Sequence, residues 1–131
     1  MKLDIAAARH SKEYDFEIVH PKYDEVKFRC KASGIKDDQA LIKKHTPPPK
    51  FVRGKQVQGE TNWHEVLREK FNRTVVDWTG ITDSQNGGAE VPCDQDAKND
   101  IYNRYSETLC QDIMEEVKER VAAEVGMDLG N

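Results

Sequence analysis

The sequence predicts a mostly helical α+β domain, with an N-terminal antiparallel β-hairpin packed on two amphipathic helices and the second of these helices long. Three observations carry this. Residues 14–32 alternate apolar and polar side chains on either side of a proline-led turn, whereas residues 61–77 and 95–124 repeat their apolar side chains at helical steps. A chain of 131 residues holds one such core, so residues 1–131 are read as a single domain.

In the hairpin, Tyr14, Phe16 and Ile18 share one face, and Val26, Phe28, Cys30 and Ala32 form a matching one, because successive strand side chains point to opposite sides. Pro21 breaks the first strand, and Lys22-Tyr23-Asp24-Glu25 completes a connection of hairpin length. A lone two-stranded ribbon is marginal in water, so this apolar face must pack on a helix or a partner. Ser33-Gly34 closes the second strand. Residues 37–45 suit a short helix, with Asp37 near its start and Lys43, Lys44 and His45 near its end, where the helix dipole favours them.

Thr46-Pro47-Pro48-Pro49 ends that helix and imposes an extended run. The stretch that follows, to Gly59, is basic and has no amphipathic period. Residues 46–59 are therefore expected to be a long, exposed, Pro-rich basic loop, ordered only where a partner holds it. Thr61 suits the N-cap of the next helix, in which Trp63, Val66, Leu67, Phe71 and Val75 make the apolar side and Arg68, Glu69, Asn72 and Arg73 the polar one. Trp78-Thr79-Gly80 marks its end, with Gly80 suited to a left-handed residue.

Residues 81–93 are turn chemistry, centred on Asn86-Gly87-Gly88. Asp94 then caps the last helix, lined by Ile101, Tyr105, Leu109, Ile113, Val117 and Val121, with Tyr102, Cys110 and Met114 widening the stripe. At ~1.5 Å per residue that helix is roughly 45 Å long, more than a domain of this size is expected to cover. Part of the stripe is accordingly expected to meet another subunit, which predicts a homo-oligomer.

Charge and composition narrow the function. Apolar residues make up 37% and charged residues 34% of the chain, with a mean hydropathy of −0.83, enough for a modest core with mobile ends. The net charge of −4 disfavours generic nucleic-acid binding. The charge is uneven: residues 41–58 carry Lys43, Lys44, Lys50, Arg53 and Lys55 with no acid, while residues 94–125 carry nine acids against Lys98, Arg104, Lys118 and Arg120. The two regions could attract one another within or between chains. No run approaches the ~18–20 apolar residues of a membrane span, and the N-terminus lacks a secretory h-region, so a cytoplasmic location without membrane contact is expected.

No constellation for bond-making chemistry stands out. Cys30, Cys93 and Cys110 are odd in number and widely spaced, as reduced, partly buried thiols are. The histidines His10, His20, His45 and His64 lack metal-ligand spacing, and a zinc site built from the three cysteines and one histidine is the only metal alternative. The glycines at Gly54 and Gly87-Gly88 lack the strand-before, helix-after context of a phosphate loop. Glu115/Glu116 and Asp37/Asp38 read as solvated surface charge. A non-enzymatic protein with no catalytic residue, metal or cofactor is expected.

The order of motifs in the second half resembles a known family. Thr74-Val75-Val76-Asp77-Trp78-Thr79-Gly80-Ile81-Thr82-Asp83 is followed by a Gly-containing turn, by Val91-Pro92-Cys93 and by a helix. This pattern is similar to the tail assembly chaperones of long-tailed bacteriophages, in which a V-x-x-W-x-G-[VI] stretch precedes a turn, a V-P element and an acidic-to-mixed C-terminal helix. Phe16-Glu17-Ile18-Val19-His20-Pro21 is also similar to the opening strand of one branch, although Lys22-Tyr23-Asp24-Glu25 stands where that branch has a glycine turn. The match rests on residues 71–125, and the Pro-rich basic segment has no counterpart in it. The resemblance implies a protein that holds the tape measure protein, helps recruit tail tube protein, acts in the bacterial host cytoplasm, is absent from the mature virion and performs no catalysis. It further implies the short product of a gene that also encodes a longer, frameshifted form.

The residues expected to contact partners are Trp78, the basic Lys43, Lys44 and Arg53, and the helix stripe Tyr105, Leu109, Ile113, Val117 and Val121. For Trp78 the structural alternative is packing back onto the preceding helix, with Asp77 holding the turn. For the basic segment it is a solvated linker. The functional alternative to a chaperone is a structural neck, connector or tail-completion component.

Overall fold

A computed structural model describes residues 14–128. Strands β1 (Phe16–Ile18) and β2 (Lys27–Cys30) form the expected antiparallel hairpin, with Phe16 opposite Cys30 and Ile18 opposite Phe28. Period-two alternation sends these four side chains into the core, where none is more than 9% exposed. The connection is a short 3₁₀ turn, Pro21–Tyr23, whose first free N–H, on Lys22, donates to Nδ1 of His20 at 3.1 Å.

Helix α1 (Ile35–Lys44) carries Asp37 and Asp38 in its first turn and Lys43 and Lys44 in its last, and it buries Leu41. Helix α2 (Trp63–Thr74) is capped by Asn62, one residue later than expected, whose side chain accepts from the Glu65 N–H at 3.4 Å.

The expected helix over 61–77 is corrected at its end. Val75–Thr79 is a strand, β5, that pairs antiparallel to β2 and turns the hairpin into a three-stranded sheet of order β1-β2-β5. Thr74, Val75 and Val76 are β-branched and stiff at χ1, which favours a pleated backbone, and a third strand relieves the marginal stability of the hairpin. Val75 satisfied the helical period because it is buried in either conformation. A bulge between Arg29 and Cys30 lets both Val75 and Trp78 face the core.

Gly80 follows this strand with φ +89°, and a Cβ there would collide with the Glu25 carbonyl oxygen. Gly80→Ala is therefore expected to lower stability by roughly 1–3 kcal/mol, read as a fall in the urea midpoint at unchanged m-value. Beyond it, β6 (Thr82–Asp83) and β7 (Ala89–Glu90) make a small hairpin closed by Gly87 and Gly88, where the reversal was expected.

The last helix is not continuous α-helix. Asp94 caps α3 (Gln95–Tyr105), accepting from the Ala97 N–H at 2.8 Å; a π-helical turn spans Ser106–Cys110; then α4 runs Gln111–Asp128. The stripe residues from Ile101 to Val121 recur at steps of four, and each step drifts by ~40° on a helix of 3.6 residues per turn. The wider π turn takes back part of that drift and holds the stripe against the sheet. Leu109 is 4%, Ile113 1% and Val117 5% exposed, and Tyr105, Met114 and Val121 are half-buried against the same core. Leu109, Ile113 and Val117, expected to be free for another subunit, are thus taken up by the chain's own core, whereas Tyr105, Met114 and Val121 stay half-exposed at its margin.

Residues 46–59 are corrected as well. They hold a second hairpin, β3 (Lys50–Val52) and β4 (Lys55–Val57), paired with Phe51 opposite Gln56. Its two turn residues, Arg53 and Gly54, have φ of 53° and 77°, the left-handed pair that a two-residue loop matching strand twist requires. Among the described residues no helix is long and apolar enough to cross a membrane.

Candidate functional site

The ribbon β3–β4 lies outside the core, and among the described residues its hydrogen-bonded ties to the rest of the chain lie at its neck. There the Asn62 N–H donates to the His45 carbonyl at 2.9 Å, and the Thr46 and Thr61 hydroxyls share a hydrogen bond of 2.6 Å. The neck is further tied to α2, because Glu69 accepts from Lys44 Nζ at 2.7 Å and pairs with His45 at 3.0 Å. Those two partners, Lys44 first, hold the Glu69 carboxyl below its ordinary value. Beyond the neck every residue from Lys50 to Gln58 is exposed.

Three of these exposed residues are apolar: Phe51 at 77%, Val52 at 52% and Val57 at 49% exposed. Trp63, the residue after Asn62 of the neck, is 55% exposed and borders Leu67, Tyr102 and Gln111. Trp63 was expected on the buried side of α2; it lies on the first turn, where only later positions meet the core. Pairing of Lys50 with Val57 and of Val52 with Lys55 puts two valines and two lysines on one face, and leaves Phe51 and Gln56 on the other. Among the described residues, Lys43, Lys50, Arg53 and Lys55 make no ion pair. The outcome is a basic ribbon with uncovered apolar side chains, each of which keeps about half or more of the roughly 1.5–3 kcal/mol of full burial still to gain.

The remaining expected contact residues divide. Lys43 is exposed at the end of α1, Lys44 is engaged by Glu69, and Arg53 forms the ribbon tip. Trp78 is 5% exposed, stands edge-on to Phe28 at 6.4 Å and donates its indole N–H to the Val91 carbonyl at 2.7 Å. It locks the small β6–β7 hairpin onto the sheet, so the W-x-G element holds structure here. Asp77 accepts from Arg29 at 3.2 Å rather than capping a turn. Tyr105 packs edge-on to Tyr23 at 6.1 Å, and Leu109, Ile113, Val117 and Val121 belong to the core or its margin. Of the expected contact residues, the structure thus leaves Lys43 and Arg53 on an open surface without an ion pair among the described residues. Sequence reasoning missed Phe51, Val52, Val57 and Trp63, although the triplets Lys-Phe-Val and Lys-Gln-Val around Arg53-Gly54 carry the hairpin signal.

Among the described residues, no three His, Cys, Asp or Glu side chains are grouped to hold a metal ion. Burial pushes the thiols of Cys30 and Cys110 up to about 12 and raises that of half-buried Cys93, which suppresses the nucleophilic thiolate. A thiol reagent at neutral pH is accordingly expected to modify Cys93 first, with Cys30 and Cys110 reacting only on denaturation; mass spectrometry of the partly labelled protein checks the order. Comparison with known proteins gave no matching family model, no matching curated protein and no matching solved structure.

Proposed function

We propose that this chain is a non-enzymatic interaction protein that acts as a phage tail assembly chaperone in the bacterial host cytoplasm. It would hold the tape measure protein, and with it tail tube subunits, until the tube forms. The observation that carries an interaction role is the basic ribbon, on which Phe51, Val52 and Val57 stay uncovered. A protein that keeps such side chains in water at the end of a pinned neck gains from a partner that buries them. The phage assignment rests on the order of Val75-Val76-Asp77-Trp78-Thr79-Gly80, Val91-Pro92-Cys93 and the helix after them.

In this reading the client surface differs from the one expected from the helix pattern. The stripe from Leu109 to Val117 is spent on the chain's own core, so the client meets the ribbon and Trp63. Apolar contact supplies affinity, and Lys50, Arg53 and Lys55 choose acidic clients and speed encounter. Co-expression with a tape measure protein, followed by a pull-down, tests it. A chaperone is retained with that client and is missing from purified virions; a chain that fails to bind it and persists in virions is a structural component instead.

A further inference from the structure

Two of the surface hollows hold charged side chains that answer one another. Between β1 and α4, Asp112 pairs with His20 and Glu116 with Arg120. Beside α1, Asp38 takes both Ser33 and Lys70. The hollow beside the π turn differs. It has a volume of about 200 Å³ and lies where the first turns of α2 meet the end of α3 and the start of α4. Trp63 and His64 line it from α2, and Tyr102, Ser106, Glu107 and Gln111 from the other side. Among the described residues, His64 and those last four make no side-chain hydrogen bond or ion pair.

The π turn builds the polar wall. Leu109 and Cys110 are 4% and 0% exposed, so the turn is anchored at that end, while Glu107 is exposed and Ser106 half-buried. The Gln111 N–H donates to the Ser106 carbonyl, five residues back. On plain α-helix, positions five apart point about 140° from each other. The wider closure instead lets Ser106 and Gln111 line one hollow, and such turns inside α-helices recur at functional sites. Opposite them, the Trp63 ring is largely in water. Tyr102 is 3% exposed, with its ring centroid 5.8 Å from Phe71 and 5.4 Å from His64. Its unpartnered hydroxyl is not sealed in protein.

The chemistry of this lining selects a cation. Glu107 is its one carboxylate, and no lysine or arginine lines it. The Tyr102 and Ser106 hydroxyls and the Gln111 amide oxygen add acceptors. A guanidinium group suits both walls. It is planar and weakly hydrated, it stacks on aromatic faces, and its five N–H donors form a fork that fits a carboxylate. An ammonium is a compact, strongly hydrated point charge and uses less of the site. The volume admits a head group rather than a whole drug-sized ligand, which fills about 300–1,000 Å³.

We propose that the hollow between Trp63 and Glu107 is a binding site for a guanidinium group. Trp63 supplies the stacking face and Glu107 the charge partner, with Tyr102, Ser106 and Gln111 accepting the remaining N–H donors. The site stands independently of whether the β3–β4 ribbon binds a client.

An NMR titration of the full chain tests this, with N-acetyl-arginine methylamide as probe and the citrulline equivalent as its neutral, isosteric control. The arginine probe is expected to shift the amides of residues 63–67 and 106–111 saturably. The citrulline control should bind roughly tenfold more weakly, and the lysine equivalent roughly threefold. E107Q should weaken the arginine probe about tenfold and W63A about fivefold. Both positions are exposed, so both variants are expected to keep the fold. No saturable shift, equal binding of the citrulline control, or an E107Q protein that binds like the parent would each overturn the proposal. Should E107Q unwind the π turn, Trp63 carries the test: Trp63→Phe keeps a stacking face and should bind more tightly than W63A, and equal binding of the two would contradict the site. A final arm compares agmatine with the blocked arginine. Tighter agmatine binding assigns the site to a free guanidino compound, and tighter binding of the blocked arginine assigns it to an arginine within a polypeptide; either result upholds guanidinium recognition.

Discussion

Ile113→Ala is expected to destabilise the fold by about 2–5 kcal/mol, a large share of the roughly 5–15 kcal/mol that holds a domain together. Ile113 is 1% exposed and sits in the cluster that joins Phe16, Ile18, Phe28 and Cys30 of the sheet to Phe71 of α2 and to Leu109 and Val117. Truncation leaves a cavity that close-packed neighbours fill only in part, which adds to the lost transfer free energy. Urea unfolding followed by tryptophan fluorescence measures the effect. Had this stripe been a docking surface, the same change would leave the midpoint almost unmoved and weaken association instead. Ile113→Val, which keeps the branched shape, should cost only about 0.5–1.5 kcal/mol.

The opposite signature is expected from the ribbon. Replacing Phe51, Val52 and Val57 together by serine should leave the unfolding midpoint within about 0.5 kcal/mol of the parent, because exposed positions away from the core contribute little. Binding to the client should fall far more. Loss of a central apolar anchor costs 2 kcal/mol or more at typical interfaces, roughly thirtyfold in affinity. The measurement is a titration of parent and variant against the same immobilised client. Equal affinities would remove the ribbon from the interface.

Local chemistry made much of this fold legible, and long-range pairing supplied the rest. The β1–β2 register follows from alternation, and Asp94 announces the last helix as an N-cap. The strand Val75–Thr79 was hidden because Trp63, Val66, Leu67, Phe71 and Val75 keep a helical rhythm up to the first strand residue. Only the neighbouring edge of β2, distant in sequence, decides between the two conformations. The stripe was misjudged for a related reason: Leu109, Ile113 and Val117 join one core cluster with residues of all three strands and with Phe71 of α2, a set that local periodicity does not reveal. The π turn at Ser106–Cys110 leaves no mark in composition, though stripe residues at strict steps of four hint that plain α-helix would let them drift.

For the site, the basic residues were legible and the apolar ones were not. Lys43, Lys50, Arg53 and Lys55 stand out because no acid interrupts them. Phe51, Val52 and Val57 were overlooked because triple proline and two glycines read as loop, and three-residue strands carry too few alternations to register. Trp78 shows the converse. A tryptophan beside a glycine turn looks like an anchor, yet its indole spends its one donor on Val91 and its ring on Phe28.

Hydrogen–deuterium exchange of the chain with and without its client places the partner surface directly. The account predicts that client binding slows exchange across residues 50–57 and around Trp63, while amides from Tyr105 to Val121 are slow in the free protein and unchanged in the complex. New protection confined to 105–121, with 50–57 still exchanging freely, would contradict it.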